Sequence, residues 1–229
     1  MKKLQDYLDE IVKLDLDREK RAGKPEAIYA EGKSVEDLVA IVKRVLAEGR
    51  SILVTKLNRE QMDALKRVKG VEVNERGRIA VVGKRKIEKI GRVAILTAGT
   101  SDIAVAEEAV TTAEFLGLEV LKFYDVGVAG LHRLVEPIRK IREIGVDSVI
   151  VIAGMEGALP SVIASLIDVP VIAVPTSVGY GVSLGGISTL FAMLQSCSSG
   201  VAVVNVDNGF GAAVFAAMIS RVVNKYRRF

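Results

Sequence analysis

Half of the 229 residues are apolar, a quarter are charged with both signs mixed, and the formal net charge is only +4; this is an ordinary globular composition, long enough for one large or two small domains. Aromatics make up 5% and no long basic run occurs, which argues against a nucleic-acid surface, and the single cysteine leaves no internal disulfide or cysteine-based metal cluster. Residues 1–9 are charged and lack an apolar run, while the most apolar region, 162–182, is broken by Asp168, Pro170, Pro175 and glycines; neither a signal peptide nor a membrane span is expected, and the expectation is a cytoplasmic protein.

Residues 1–14 carry an amphipathic pattern, with Leu4, Leu8, Ile11 and Val12 on one stripe. A mixed-sign stretch follows and ends in loop punctuation at Gly23 and Pro25. Ala27 to Ala30 is a short strand candidate. Ser34 is placed to cap a helix whose apolar face runs through Val35, Leu38, Val39, Val42, Val45 and Leu46. Ser51 to Thr55 reads as a strand, Arg59 to Val68 as a helix, and Val71–Val73 and Ile79–Val82 as strands joined through Arg76-Gly77. This gives a small α+β domain over residues 1–90.

From Gly91 the rhythm changes to strand, turn, helix, repeated. Strands are predicted at 93–96, 119–123, 149–152, 170–174 and 201–205. The helices between and after them are predicted from Ser101 or Asp102 to Leu116, then at 130–144 with Pro137 inside it, 160–167, 187–195 and 212–225. The run Val149-Ile150-Val151-Ile152 has no alternation, as expected of a strand buried on both faces. Residues 91–229 are therefore expected to form an α/β domain of three layers, with a parallel sheet covered by helices on both sides.

Three turns after these strands carry the unusual residues. Thr97-Ala98-Gly99-Thr100-Ser101-Asp102 presents N–H groups and hydroxyls at a helix start, an anion site or a plain cap; Asp102 suits a cap, a ribose hydroxyl or a metal. Gly154-Met155-Glu156-Gly157 places one acid just past the central strand, where open α/β sheets bind ligands; a solvated loop glutamate is the alternative. Pro175 to Gly186 holds four glycines and three Ser or Thr, a poor core and a good ligand loop. Cys197, flanked by Ser196, Ser198 and Ser199, reads by itself as a small structural residue, though partial exposure is compatible with its neighbours. His132 reads as a surface residue, which leaves little room for a serine–histidine triad.

Together these motifs resemble a known family. Gly99-Thr100-Ser101-Asp102, Ala153 to Pro160, Val171 to Pro175 and Ser188-Thr189-Leu190 are similar to the aminoimidazole ribonucleotide carboxylase and mutase (PurE) fold, an octameric α/β domain. One position departs from it: the carboxylase carries a histidine, its proton carrier, just before Leu-Pro, and here Ala158 stands there. Nearly the whole chain resembles the LarB family, pyridinium-3,5-biscarboxylic acid mononucleotide synthases of nickel-pincer cofactor biosynthesis. That likeness rests on Asp17-Arg18 through Arg21, Gly23, Pro25-Glu26, Tyr29 to Lys33, Gly154 to Pro160, Ser196-Cys197 and Asn205 to Ala212.

The resemblance implies carboxylation of the pyridinium ring of nicotinic acid adenine dinucleotide at C5, with CO₂ or bicarbonate as co-substrate, and cleavage of the phosphoanhydride to release AMP. It implies Cys197 as nucleophile and Glu156 as base. Thr100, Ser101, Asp102, Gly154, Met155, Gly157, Thr176, Ser177, Asp207 and Asn208 would surround the substrate, with Asp17 and Arg18 reaching it from the first domain. Mg²⁺ would ride on the substrate phosphates, with no protein residue assigned as a metal ligand, and the assembly would be a homo-oligomer, an octamer by likeness. Two rivals remain open: an aminoimidazole ribonucleotide carboxylase or mutase, and a non-catalytic nucleotide-binding regulator of the same fold.

Overall fold

The computed structural model describes residues 26–227, together with Arg18, Arg21, Gly23 and Lys24. The amphipathic pattern over 1–14 and Asp17 lie outside the described residues. The chain divides into two compact units, Met1–Lys86 and Ile87–Phe229.

The first unit holds β1 (Ala27–Tyr29), α1 (Val35–Ala47), β2 (Ile52–Thr55), α2 (Arg59–Lys66), β3 (Val71–Asn74) and β4 (Ile79–Val82). Its four-stranded sheet has the order β1-β2-β4-β3, with β1 parallel to β2 and the other pairs antiparallel. Ser34 caps α1 by accepting from the Asp37 N–H at 3.0 Å. Asn58 and Gln61 form a reciprocal capping box at α2, which satisfies two otherwise orphaned donors. Leu38, Val42 and Val45 of α1 bury their face against Ile52, Val54, Ala80 and Val82, as the helical spacing of the apolar residues requires.

The second unit holds β5 (Gly91–Thr97), α3 (Ile103–Leu116), β6 (Leu118–Phe123), α4 (Val135–Ile144), β7 (Ser148–Ala153), α5 (Leu159–Ala164), β8 (Val171–Pro175), α6 (Ile187–Leu194), β9 (Val201–Val203) and α7 (Gly209–Arg227). Its five strands lie in the order β6-β5-β7-β8-β9, every neighbouring pair parallel. β7 is central and buried along its whole length, which explains its unbroken branched aliphatics. α3 and α7 cover one face through buried alanines, Ala106, Ala109 and Ala113 on one helix and Ala212, Ala213 and Ala216 on the other. Leu134, Ile138, Ile141, Leu159 and Ile163 cover the other face. The result is the expected three-layer α/β architecture.

Some boundaries differ from the sequence reading. The helix expected over 130–144 is two pieces: residues 128–134 form a tight 3-10 segment interrupted at Gly130 (φ −142°, ψ 76°), and α4 starts at Val135. Pro137 then falls in the first turn of α4, where its missing N–H costs nothing. α5 stops at Ala164 rather than 167, β9 stops at Val203 rather than 205, and α7 starts at Gly209 rather than 212. The early start of α7 is possible because Asn208 accepts from the Gly211 N–H at 2.8 Å, an N-terminal cap.

Candidate active site

The carboxyl ends of the strands in the second unit are stitched into one platform. The Ala98 N–H donates to the Ile152 carbonyl at 2.9 Å, the Thr176 N–H to the Ala153 carbonyl at 3.0 Å, and the Asp207 N–H to the Pro175 carbonyl at 2.9 Å. Asp125, Met155, Leu184 and Asp207 adopt left-handed backbone there, with φ of 47° to 58°. Such non-glycine outliers persist only where surrounding structure holds them, and they concentrate at ligand sites.

Between these turns lies a cleft of about 400 Å³. One wall is Ala98, Gly99, Ser101 and Asp102 after β5, another Gly154 to Glu156 with Ala158 and Leu159 after β7, and the third Gly127 to Ala129 with Arg133 after β6. Gly127 must lack a side chain because a β-carbon there would meet the Ala98 carbonyl oxygen at 2.6 Å. Gly154 is equally constrained, since its β-carbon would collide with the Val178 carbonyl and stand 2.8 Å from the Thr176 hydroxyl.

Asp102 is the cleft's buried acid. Its Oδ2 accepts from the Gly99 N–H at 2.9 Å and its Oδ1 from the Thr176 hydroxyl at 2.7 Å. Burial pushes its pKa above the ordinary aspartate value, against the pull of the hydrogen bonds from Thr176 and Gly99, and the charge of Asp207 adds to the rise. Glu156 differs. It is exposed on the cleft wall, and among the described residues no hydrogen bond or ion pair occupies its carboxylate. Arg133 is the cation of the cleft, held by the Asp125 carbonyl at 3.0 Å and the Asp125 carboxylate at 3.2 Å. Sequence reasoning missed Arg133 because an uninterrupted helix over 130–144 would turn it into a surface residue; the pair Gly127 and Gly130 was the available signal of a turn.

Ser101, Asp102, Gly154, Met155 and Glu156 are brought together in the cleft. Thr100 stands exposed beside it. Gly157 is buried under α6, where a β-carbon would lie 3.1 Å from Met193 and Thr189. Thr176 is fully buried with its hydroxyl committed to Asp102, so it braces the site rather than facing a ligand. The Ser177 N–H donates to Asp207 at 2.9 Å, and Asn208 is spent on the α7 cap. Arg18 pairs with Glu26 at 2.7 Å within the first unit.

Cys197 is exposed and does not line the cleft. Its loop is pinned beside α5 by the Ser198 hydroxyl, which donates to the Ser161 carbonyl at 2.8 Å. A larger groove of about 590 Å³, between α4 and α5, is mainly apolar and holds neither Glu156 nor the thiol; the smaller cleft is the candidate site because polar groups converge there.

Residues 6–85 match the family model described as the LarB/PurE-like N-terminal domain, and residues 92–227 match that of AIR carboxylase. An uncharacterized protein of Methanocaldococcus jannaschii is 43% identical over 226 residues, covering 95% of this chain and 87% of the relative. The chain belongs to the LarB family. Its AIR-carboxylase-like part is 36% identical to an N5-carboxyaminoimidazole ribonucleotide mutase of the same organism, over 56% of this chain and 77% of that one. A second such mutase, from Thermotoga maritima, is 30% identical over 56% of this chain and 74% of its own length. The crystal structure of Treponema denticola PurE aligns with a TM-score of 0.42 and 19% identity, covering 59% of this chain and 92% of that one. Among the described residues of this LarB-family chain, no helix is long and apolar enough to cross a membrane.

Proposed function

We propose that this LarB-family protein carboxylates the pyridinium ring of nicotinic acid adenine dinucleotide at C5 and cleaves its phosphoanhydride, giving pyridinium-3,5-biscarboxylic acid mononucleotide and AMP. The observation that carries the reading is the uncommitted Glu156 carboxylate in a cleft without a lining histidine, on a chain whose only thiol is exposed. The mutase relatives give the rival reading, ribonucleotide carboxylation. Against it stands Ala158 on the cleft wall, where the carboxylase's proton carrier would be.

A pyridinium ring is electrophilic and does not attack CO₂. The Cys197 thiolate would add at C4, and the ring nitrogen takes up the electron pair to leave a neutral enamine. Carbon 5 then bonds to CO₂ and the nitrogen becomes an iminium. Glu156 removes the C5 proton, and loss of the thiolate from C4 restores the aromatic ring; electrons balance with no oxidant. Arg133 and the N–H groups opening α3 would hold anionic substrate groups. Mg²⁺ belongs to the proposal as an ion carried by phosphate oxygens, which suit it; CO₂ or bicarbonate supplies the new carboxylate. A homo-oligomer in the cytoplasm completes the reading.

The test is an incubation with nicotinic acid adenine dinucleotide and labelled bicarbonate, followed by mass spectrometry. Labelled dicarboxylate and AMP are expected. Cys197→Ala should lose carboxylation by about a thousandfold or more, as nucleophile removals do, while Glu156→Gln should accumulate the adduct on intact mass. Normal turnover by Cys197→Ala removes the covalent step, and binding without any wild-type turnover supports a regulator instead.

A further inference from the structure

Among the described residues no hydrogen bond or ion pair holds the exposed Glu156 carboxylate, so its direction follows the backbone that carries it. That backbone is unusual. Both neighbours of Glu156 are left-handed, Met155 at φ 54° and Gly157 at φ 64°, and the Gly157 N–H closes the turn onto the Gly154 carbonyl at 3.0 Å. Glycine adopts such a conformation freely, but methionine does not. A non-glycine residue stays left-handed only where its surroundings hold it.

One side chain supplies most of that hold. Thr189 lies fully buried in the first turn of α6. Its hydroxyl donates to the Met155 carbonyl at 2.5 Å, and its methyl carbon stands 3.1 Å from where a β-carbon on Gly157 would lie. A helical threonine ordinarily returns its hydroxyl to a carbonyl one turn back; this one reaches out of its helix to a separate turn. Its two branches therefore grip the residue before Glu156 and the residue after it. The Met155 N–H also donates to the Val178 carbonyl at 3.1 Å, but Val178 belongs to the glycine-rich loop, whereas Thr189 rides on a helix. α6 is itself wedged in place. A β-carbon on Gly186, which precedes it, would meet the Thr176 carbonyl at 2.7 Å, and the Thr176 hydroxyl donates to Asp102 at 2.7 Å. Contacts thus run from the bracing acid Asp102, through Thr176 and α6, to the turn that carries the open acid.

We propose that Thr189 is a positioning residue for Glu156, its hydroxyl keeping the Met155–Gly157 turn in the form that sets the carboxylate on the cleft wall. The catalytic consequence rests on the reading of Glu156 as the base that removes the C5 proton. A base must lie within hydrogen-bond reach of the proton it takes, and a displacement of about 1 Å costs on the order of a hundredfold.

Three variants isolate the hydroxyl. Thr189→Val keeps the methyl branch and loses the hydroxyl, Thr189→Ser does the reverse, and Thr189→Ala loses both. Ser and Ala differ only in the hydroxyl, so their comparison stands even where Thr189→Val fails to fold. With nicotinic acid adenine dinucleotide and labelled bicarbonate, Thr189→Val and Thr189→Ala should lose kcat by about ten- to a hundredfold, with KM within about twofold. Intact mass should show the cysteine adduct accumulating in both, because proton removal has become the slow step. Thr189→Ser should stay within about threefold of wild type and build up no adduct. A purely structural role makes kcat follow the melting temperature across all three variants and leaves no adduct; that pattern, or full turnover in Thr189→Val and Thr189→Ala, overturns the positioning role. Hydrogen exchange of the peptide spanning 154–158, measured without substrate, should quicken by about tenfold in Thr189→Val and Thr189→Ala and stay native in Thr189→Ser. Unchanged exchange overturns the brace itself. A wild type without turnover strikes the catalytic reading, while the exchange still judges the brace.

Discussion

The two ends of the parallel sheet carry the same chemistry to different purposes. At the amino end, buried Asp147 accepts from the Ser220 hydroxyl at 2.7 Å and the Arg92 N–H at 3.1 Å. At the carboxyl end, buried Asp102 accepts from the Thr176 hydroxyl at 2.7 Å and the Gly99 N–H at 2.9 Å. In each an aspartate accepts from a hydroxyl and a backbone N–H, and each is seated against a glycine or its turn. Asp147 fastens α7 under the sheet. Asp102 fastens two strand-end turns that border a cleft, among left-handed residues. A buried hydrogen-bonded carboxylate is therefore not in itself a sign of function; what separates the pair is which end of the strands it occupies.

The comparison breaks or sharpens under mutation. The largest effect is expected for Asp102→Ala, which removes the acceptor of the buried Thr176 hydroxyl and of the half-buried Gly99 N–H. It should lower stability in denaturant by about 2–4 kcal/mol and weaken dinucleotide binding in calorimetry by at least roughly tenfold, about 1.4 kcal/mol. Asp147→Ala should lose about 1–3 kcal/mol for the same reason, yet keep kcat/KM within about twofold in the folded protein; a collapse of kcat/KM would mean the two ends are coupled. Gly154→Ala should separate the terms differently, displacing the Met155–Glu156 turn through the clash with the Val178 carbonyl and reducing turnover more than stability.

The smallest effect is in pH. Because burial raises the Asp102 pKa, the folded state keeps this proton to higher pH than the unfolded chain. The stability it contributes is complete below the unfolded aspartate value and is lost as pH rises through the folded one. The stability difference between wild type and Asp102→Asn, followed by urea titration from acid to neutral pH, should shift against the wild type over that window. A flat difference would remove the burial argument.

Much of this was legible along the chain. The unbroken aliphatics of β7, the turn chemistry after β5 and β7, and the switch of rhythm near Gly91 arise from local pattern, and they located Asp102 and Glu156 in one cleft. Arg133 was not legible, because apolar spacing across 130–144 fits a helix and only the backbone at Gly130 breaks it. Thr176 looked like a ligand hydroxyl in a polar loop; its burial against Asp102 depends on residues 74 positions apart, which no local pattern encodes.

By itself the sequence determined the strand–helix alternation, the helix cap at Ser34, the parallel sheet and the turns that carry acids, since these follow from short-range sterics, hydrogen bonding and apolar period. Only the tertiary structure decided which acid is spent as a brace and which is left open, and that the thiol sits outside the cleft. Those outcomes depend on how far apart segments pack, and packing between distant segments sets burial, partners and access.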